Sequence, residues 1–188
     1  MKKTPIVAGN WKMNKLPSEG ASFISEINKL VKDVNSLTVI YAPPFSGLFD
    51  LKVKPPFYIA AQNCHWEDYG AFTGEISLPM IKDCGAEYVI VGHSERRHIF
   101  YETDEWVNKK VRAVLSNDLK PILCIGETIQ QRENGDTKSV LENQLEKGLS
   151  SIDKIDNCII AYEPVWAIGT GLTATNVQVE SAHEVIGN

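Results

Sequence analysis

Six short apolar runs punctuate the sequence: Pro5 to Ala8, Thr38 to Ala42, Tyr58 to Ala61, Tyr88 to Val91, Pro121 to Ile125 and Ile159 to Tyr162. They are rich in β-branched residues and nearly continuous rather than alternating, which predicts strands buried on both faces. Between them the apolar positions change to a helical period. Phe23, Ile24, Ile27, Leu30 and Val31 share one face, as do Trp106, Val107, Val111, Val114 and Leu115, and Val140, Leu141, Leu145 and Leu149. Ser18, Thr103 and Asp136 stand where helices should start, because their side-chain oxygens can accept from free backbone N–H groups. Pro43-Pro44 and Pro55-Pro56 limit one further helix. Trp66 to Ser77 predicts a long loop before a short helix near Pro79 to Asp83.

Strand and helix thus alternate with a unit of about 30 residues, the signature of a parallel sheet with helical crossovers. No linker or shift in composition marks a boundary, so residues 1–188 are expected to form a single domain. The alternation alone fits both a closed barrel and an open doubly wound sheet.

Composition narrows the function. A formal charge of −5, with Lys and Arg scattered among acids, gives no basic footprint for nucleic acid. No apolar run approaches the roughly 20 residues of a membrane helix, and Lys2-Lys3 leads into a strand rather than a signal-peptide core, so a cytoplasmic protein is expected. Cys64, Cys84, Cys124 and Cys158 lie far apart without a C-x-x-C pair, which spells neither a zinc site nor a redox motif; buried free thiols are the expectation.

Polar residues then gather just beyond the apolar runs: Asn10 and Lys12, Gln62 and Asn63, His93, Glu127, and Glu163. That is the carboxyl side of the strands, where barrels and open α/β sheets alike build active sites. Any one of them is equally explained by a strand end meeting water. Glu163 leaves an apolar strand just before Pro164, and partial burial there would raise its pKa into the range of a useful base. His93 opens a helix-like turn, Ser94 to Arg97, whose N-terminus disfavours the imidazolium. Lys12 offers a point charge for an anion or is a solvated surface lysine. Ala167 to Gly171 can bind phosphate through backbone N–H groups or is simply a flexible turn.

Longer motifs settle the family resemblance. Ala8-Gly9-Asn10-Trp11-Lys12-Met13-Asn14, Ala42-Pro43-Pro44-Phe45, Ala60-Ala61-Gln62-Asn63, Gly70 to Glu75, Val91 to Arg97, Cys124-Ile125-Gly126-Glu127 and Ala161 to Gly171 resemble triosephosphate isomerase, in its order and along essentially the whole chain. The resemblance implies a (β/α) fold of the TIM-barrel type and interconversion of dihydroxyacetone phosphate and D-glyceraldehyde 3-phosphate, a step of glycolysis and gluconeogenesis. It assigns proton transfer to Glu163, carbonyl polarisation to a neutral His93, and charge stabilisation to Lys12 with Asn10, roles that are a worked example of tuned acid/base groups. Gly169 would reach the phosphate from a closing lid, Pro164 to Thr170. Glu95 and Cys124 match supporting positions. No metal and no organic cofactor is implied. Gly70 to Glu75 resembles a loop that inserts into a neighbouring subunit, so a homodimer or larger self-association is expected.

Two further βα units of the family have no counterpart here, so six units stand in place of eight. The expectation is a partial or rearranged barrel: an open one, one closed by a second copy, or one filled by moved segments. The absent units carry a serine hydroxyl and glycine N–H groups for the phosphate, so severely reduced activity is expected. The competing readings are a catalytically inactive truncated barrel that serves only as a folding or assembly scaffold, and an unrelated α/β phosphate binder.

Overall fold

The computed structural model of the chain describes residues 4–187 apart from 32, 33 and 35; the Lys2-Lys3 start lies outside the described residues. Six strands alternate with helices in chain order: β1 (Ile6–Asn10), α1 (Pro17–Leu30), β2 (Thr38–Ala42), α2 (Phe45–Leu48), β3 (Phe57–Ala61), α3 (Leu78–Asp83), β4 (Tyr88–Val91), α4 (Ser94–His98), α5 (Asp104–Ser116), β5 (Lys120–Ile125), α6 (Ile129–Glu133), α7 (Thr137–Gly148), β6 (Ile159–Tyr162) and α8 (Asn176–Gly187). A 3-10 turn, Val165–Ala167, follows β6. Parallel pairing through helical crossovers is what the alternation predicts, and it is the (β/α) plan of the TIM-barrel type.

The residues group into two compact units, one of 1–90 with 113–120 and one of 91–112 with 121–188. In the first, β1 pairs with β2 over Ile6↔Thr38 to Asn10↔Ala42, β2 with β3, and β3 with β4, all parallel. Its core is made of the runs themselves: Ile40, Ile59, Ala60 and Val89 are essentially inaccessible, and Leu78 and Ile81 of α3 join them. Burial of each such Val, Leu or Ile side chain stabilises the fold by about 1.5–3 kcal/mol. In the second, β5 pairs with β6 from Ile122↔Ile159 to Ile125↔Tyr162, and Leu123 and Leu141 are fully buried.

Burial on both faces holds for β2, β4 and most of β5, but not for the first and last strands. β1 exposes Ile6 (46%) and Val7 (57%), and β6 is half-buried along its length. The physical reason is that an apolar run reports the strand, whereas its burial depends on what covers it.

Helix faces and caps show similar corrections. Val107, Val111 and Val114 form the buried stripe of α5, while Trp106, one step off it, is exposed, and Leu30 of α1 points outward. Ser18 does not cap α1. Pro17 occupies the first helical position, where its missing N–H costs nothing, so the cap falls on Leu16, whose N–H donates to Glu19 Oε2 at 2.7 Å. Thr103 does cap α5, with Trp106 N–H donating to its Oγ1 at 3.3 Å. Asp136 precedes α7 but makes no side-chain capping bond. All four cysteines are free thiols; Cys64 and Cys124 are buried as expected, whereas Cys84 and Cys158 are half-buried. No helix among the described residues is long and apolar enough to cross a membrane.

Candidate active site

In the first unit the chain turns sharply after β1. Lys12 adopts a left-handed backbone (φ 52°), an arrangement that costs a non-glycine residue about 1–3 kcal/mol and needs to be held. Lys12 N–H donates to Asn10 Oδ1 at 2.9 Å, and Gln62, just past β3, donates through Nε2 to Lys12 O (2.9 Å) and Ala42 O (2.8 Å). Asn10, Lys12 and Gln62, all singled out as strand-end polar residues, therefore form one hydrogen-bonded cluster that fixes the turn.

The second unit brings together His93, Glu95, Cys124 and Glu163. His93 is the N-cap of α4, and its Nδ1 accepts from Glu95 N–H at 3.2 Å. A backbone N–H can only donate, so Nδ1 carries no proton and the ring is in its Nε2–H form. The Glu95 carboxylate also lies 3.5 Å from Nδ1, but that longer approach would need the opposite tautomer and the backbone bond decides. Nε2–H then points at Glu163 Oε1, 3.1 Å away, with the His93 side chain 7% and the Glu163 side chain 19% exposed. Ser94 N–H donates to the other oxygen, Oε2, at 3.1 Å.

This geometry reverses one expectation. Burial does push the Glu163 carboxyl upward, but the hydrogen bonds from His93, the Ser94 N–H and the Cys124 thiol outweigh it, and its pKa lies below the ordinary value. Cys124, buried beside that carboxylate, is held far above the usual thiol range by burial and by the Glu163 charge, so it stays a neutral donor. Gly169 stands apart from these groups, exposed and left-handed (φ 70°), on the segment that follows the 3-10 turn. A groove of about 950 Å³ in the same unit, lined by residues such as His98, Glu105, Asn143 and Lys147, includes neither His93 nor Glu163.

A neutral imidazole donor and a carboxylate thus stand 3.1 Å apart, both largely buried, just beyond their strand ends. Comparison with known proteins identifies the family. The sequence model of the family described as triosephosphate isomerase matches residues 5–188. The chain belongs to the triosephosphate isomerase family. Its triosephosphate isomerase relatives include those of Carboxydothermus hydrogenoformans, 49% identical over 92% of this chain and 71% of the relative, and Syntrophotalea carbinolica, 46% identical over 98% and 75%. A third, from Endomicrobium trichonymphae, is 48% identical over 98% of this chain and 76% of its own length. The 188 residues thus span about three quarters of these relatives.

Another strand-end carboxylate has partners that the sequence hid. Glu127, after β5, is fully buried and accepts from Arg132 Nη1 (2.9 Å), Trp166 Nε1 (3.0 Å) and Tyr162 Oη, which lies 3.1 Å from both oxygens. Arg132 also stacks 5.0 Å from the Trp166 ring centroid. The segment that follows β6 is thereby tied to Glu127 through Trp166, while Gly169 to Leu172 beyond it are exposed. Glu127 appeared only as one more polar strand end. Its partners come from α6, β6 and the 3-10 turn, a convergence that spacing along the chain does not encode.

Proposed function

We propose that this chain interconverts dihydroxyacetone phosphate and D-glyceraldehyde 3-phosphate through an enediolate. The observation that carries the reading is the 3.1 Å approach of His93 Nε2 to Glu163 Oε1, with the Nδ1 lone pair used by Glu95 N–H. A substrate carbonyl oxygen arriving at Nε2–H displaces Oε1, which frees the carboxylate to take the proton from the adjacent carbon. The negative charge that builds on the oxygen faces Nε2–H, and Glu163 returns the proton to the neighbouring carbon. Once the His93 and Ser94 bonds are given up, burial acts on Glu163 against the Cys124 thiol alone and raises its basicity where it is needed.

Lys12 and Asn10 are assigned to the phosphate and enediolate charge, and Gly169 N–H to the phosphate; these roles rest on the family motifs Ala8 to Asn14 and Ala161 to Gly171. Glu95 and Cys124 support the pair, the first through its backbone N–H and the second as a thiol donor. Self-association as a homodimer or larger assembly, through the Gly70 to Glu75 loop, belongs to the same reading; Tyr69 beside it is 89% exposed. So does a cytoplasmic setting, with which four free cysteines agree.

About a quarter of the relatives' length has no counterpart among these 188 residues, and turnover by the 188 residues alone should fall about 10²-fold or more below a full-length relative. The test is deuterium incorporation into dihydroxyacetone phosphate in D₂O, followed by NMR. Slow incorporation that Glu163→Gln abolishes is expected. Incorporation indifferent to Glu163→Gln would overturn the assignment, and absence of both incorporation and binding of an enediolate mimic would leave a folding or assembly scaffold.

A further inference from the structure

Gly126 is the first residue past β5, beyond the last strand pair, Ile125↔Tyr162, and it is buried. Its N–H and C=O both need partners there, since an unpaired buried backbone group is costly. Both come from one side chain. Gly126 N–H donates to Gln144 Oε1 at 2.8 Å, and Gln144 Nε2 donates to Gly126 O at 3.2 Å, so the carboxamide of α7 stands in for a neighbouring strand. Only a primary amide offers an acceptor and a donor in this fork; a carboxylate offers the first alone and a thioether neither.

The consequence reaches the proposed base. A Cβ built on Gly126 would lie 1.8 Å from Glu163 O and 2.8 Å from Glu163 C, so the backbone of Glu163 rests directly on Gly126 with no room for a side chain between them. Glu163 N–H meanwhile donates to Ile125 O at 2.8 Å. The backbone that carries the carboxylate is therefore seated on residues 125 and 126, and Gln144 holds the second of these from outside.

We propose that Gln144 is a positioning residue: by clamping both backbone groups of Gly126 it fixes the seat of Glu163, and so the register of the Glu163 carboxylate against His93 Nε2. It touches no substrate and acts through Gly126 alone. The inference rests on the isomerase reading for its catalytic consequence, but its structural core is the His93–Glu163 contact, which can be observed without turnover.

The test compares Gln144→Met, which removes acceptor and donor at similar length, Gln144→Glu, which keeps the acceptor, and Leu141→Val, a core change on the same helix that leaves Gly126 clamped. The His93 Nε2–H proton is observed by NMR of 15N-histidine-labelled protein, alongside steady-state kinetics. In Gln144→Met the Nε2–H resonance should shift or exchange away and kcat should fall about 10- to 100-fold with KM little changed. Gln144→Glu should fall between it and the parent, and it carries the test if Gln144→Met does not fold. Leu141→Val should leave the resonance in place even though it lowers stability. Equal disturbance by Leu141→Val, or an unmoved resonance in both Gln144 variants, overturns the proposal. If the parent shows no turnover, the isomerase reading fails separately and the resonance still decides the clamp.

Discussion

Glu127 shows how much one residue can hold. A fully buried carboxylate is tolerable only when its charge is paired and its lone pairs are used, and here Arg132, Trp166 and Tyr162 do both. Its charge has a counterpart: the Tyr162 hydroxyl is driven well above its usual range by burial and by the Glu127 charge, so it remains a donor throughout the neutral range. Removing the carboxylate leaves a guanidinium and two donors facing a void. Arg132 is 24% exposed and can turn towards water, which moderates the loss. Glu127→Ala should therefore cost about 3 kcal/mol, the low end for a broken buried pair, read from urea unfolding at pH 7. A cost below about 1 kcal/mol would mean that the cluster does not order the segment after β6.

At the scale of elements, the strands were legible because β-branched runs between Pro, Gly and polar stretches have few alternatives; the boundaries of β2, β4 and β6 fall where the runs do. The proposed site was legible for the same reason, since His93 and Glu163 sit one or two residues beyond runs that end abruptly. What stayed hidden depends on tertiary partners: the exposure of β1, the outward turn of Trp106 and Leu30, and the amide of Gln144, which looks like any polar helix residue until Gly126 is placed beside it. The start of α1 was hidden by competition between two local rules, a serine cap at Ser18 and a proline at the first helical position, and the proline prevailed. That outcome has a measurable signature. Ser18, exposed at the second helical position, should tolerate alanine with a change within about 0.5 kcal/mol. Glu19→Ala removes the acceptor for Leu16 N–H and should cost about 0.5–1 kcal/mol. Thermal or urea unfolding of the pair checks this, and a larger loss for Ser18→Ala would restore the serine cap.

The whole molecule responds to pH through groups whose shifts act in concert on each side of neutrality. On the acid side, Glu163 is held below its ordinary value of 4.5, because the bonds from His93, Ser94 and Cys124 outweigh its burial. Its stabilisation is present above the unfolded value and is lost as pH falls through the folded one. His98 is lowered from 6.5 by burial and by the Arg97 charge, so the unfolded chain takes up that proton first and stability begins to fall below about pH 6.5. On the alkaline side the shifts all run upward. Burial raises Cys158 from 9.0 to about 11, and it raises Cys124, Tyr41 and Tyr162 as well. Lys120 is also raised, since Tyr88 and Glu87 outweigh its desolvation. Each of these groups keeps its proton longer in the folded state, so each contributes stability that is intact below its unfolded value and is lost as pH climbs. The two sides leave a plateau from about pH 7 to 9. Urea midpoints measured from pH 5 to 11 should trace it, with the alkaline edge setting in near 9, where the thiols of the unfolded chain ionise. Cys158→Ala tests the cause: it removes the most accessible of the two shifted thiols, and its midpoint should decline less steeply between pH 9 and 11 than that of the parent. Parallel declines would show that burial of Cys158 is not what the alkaline edge reports.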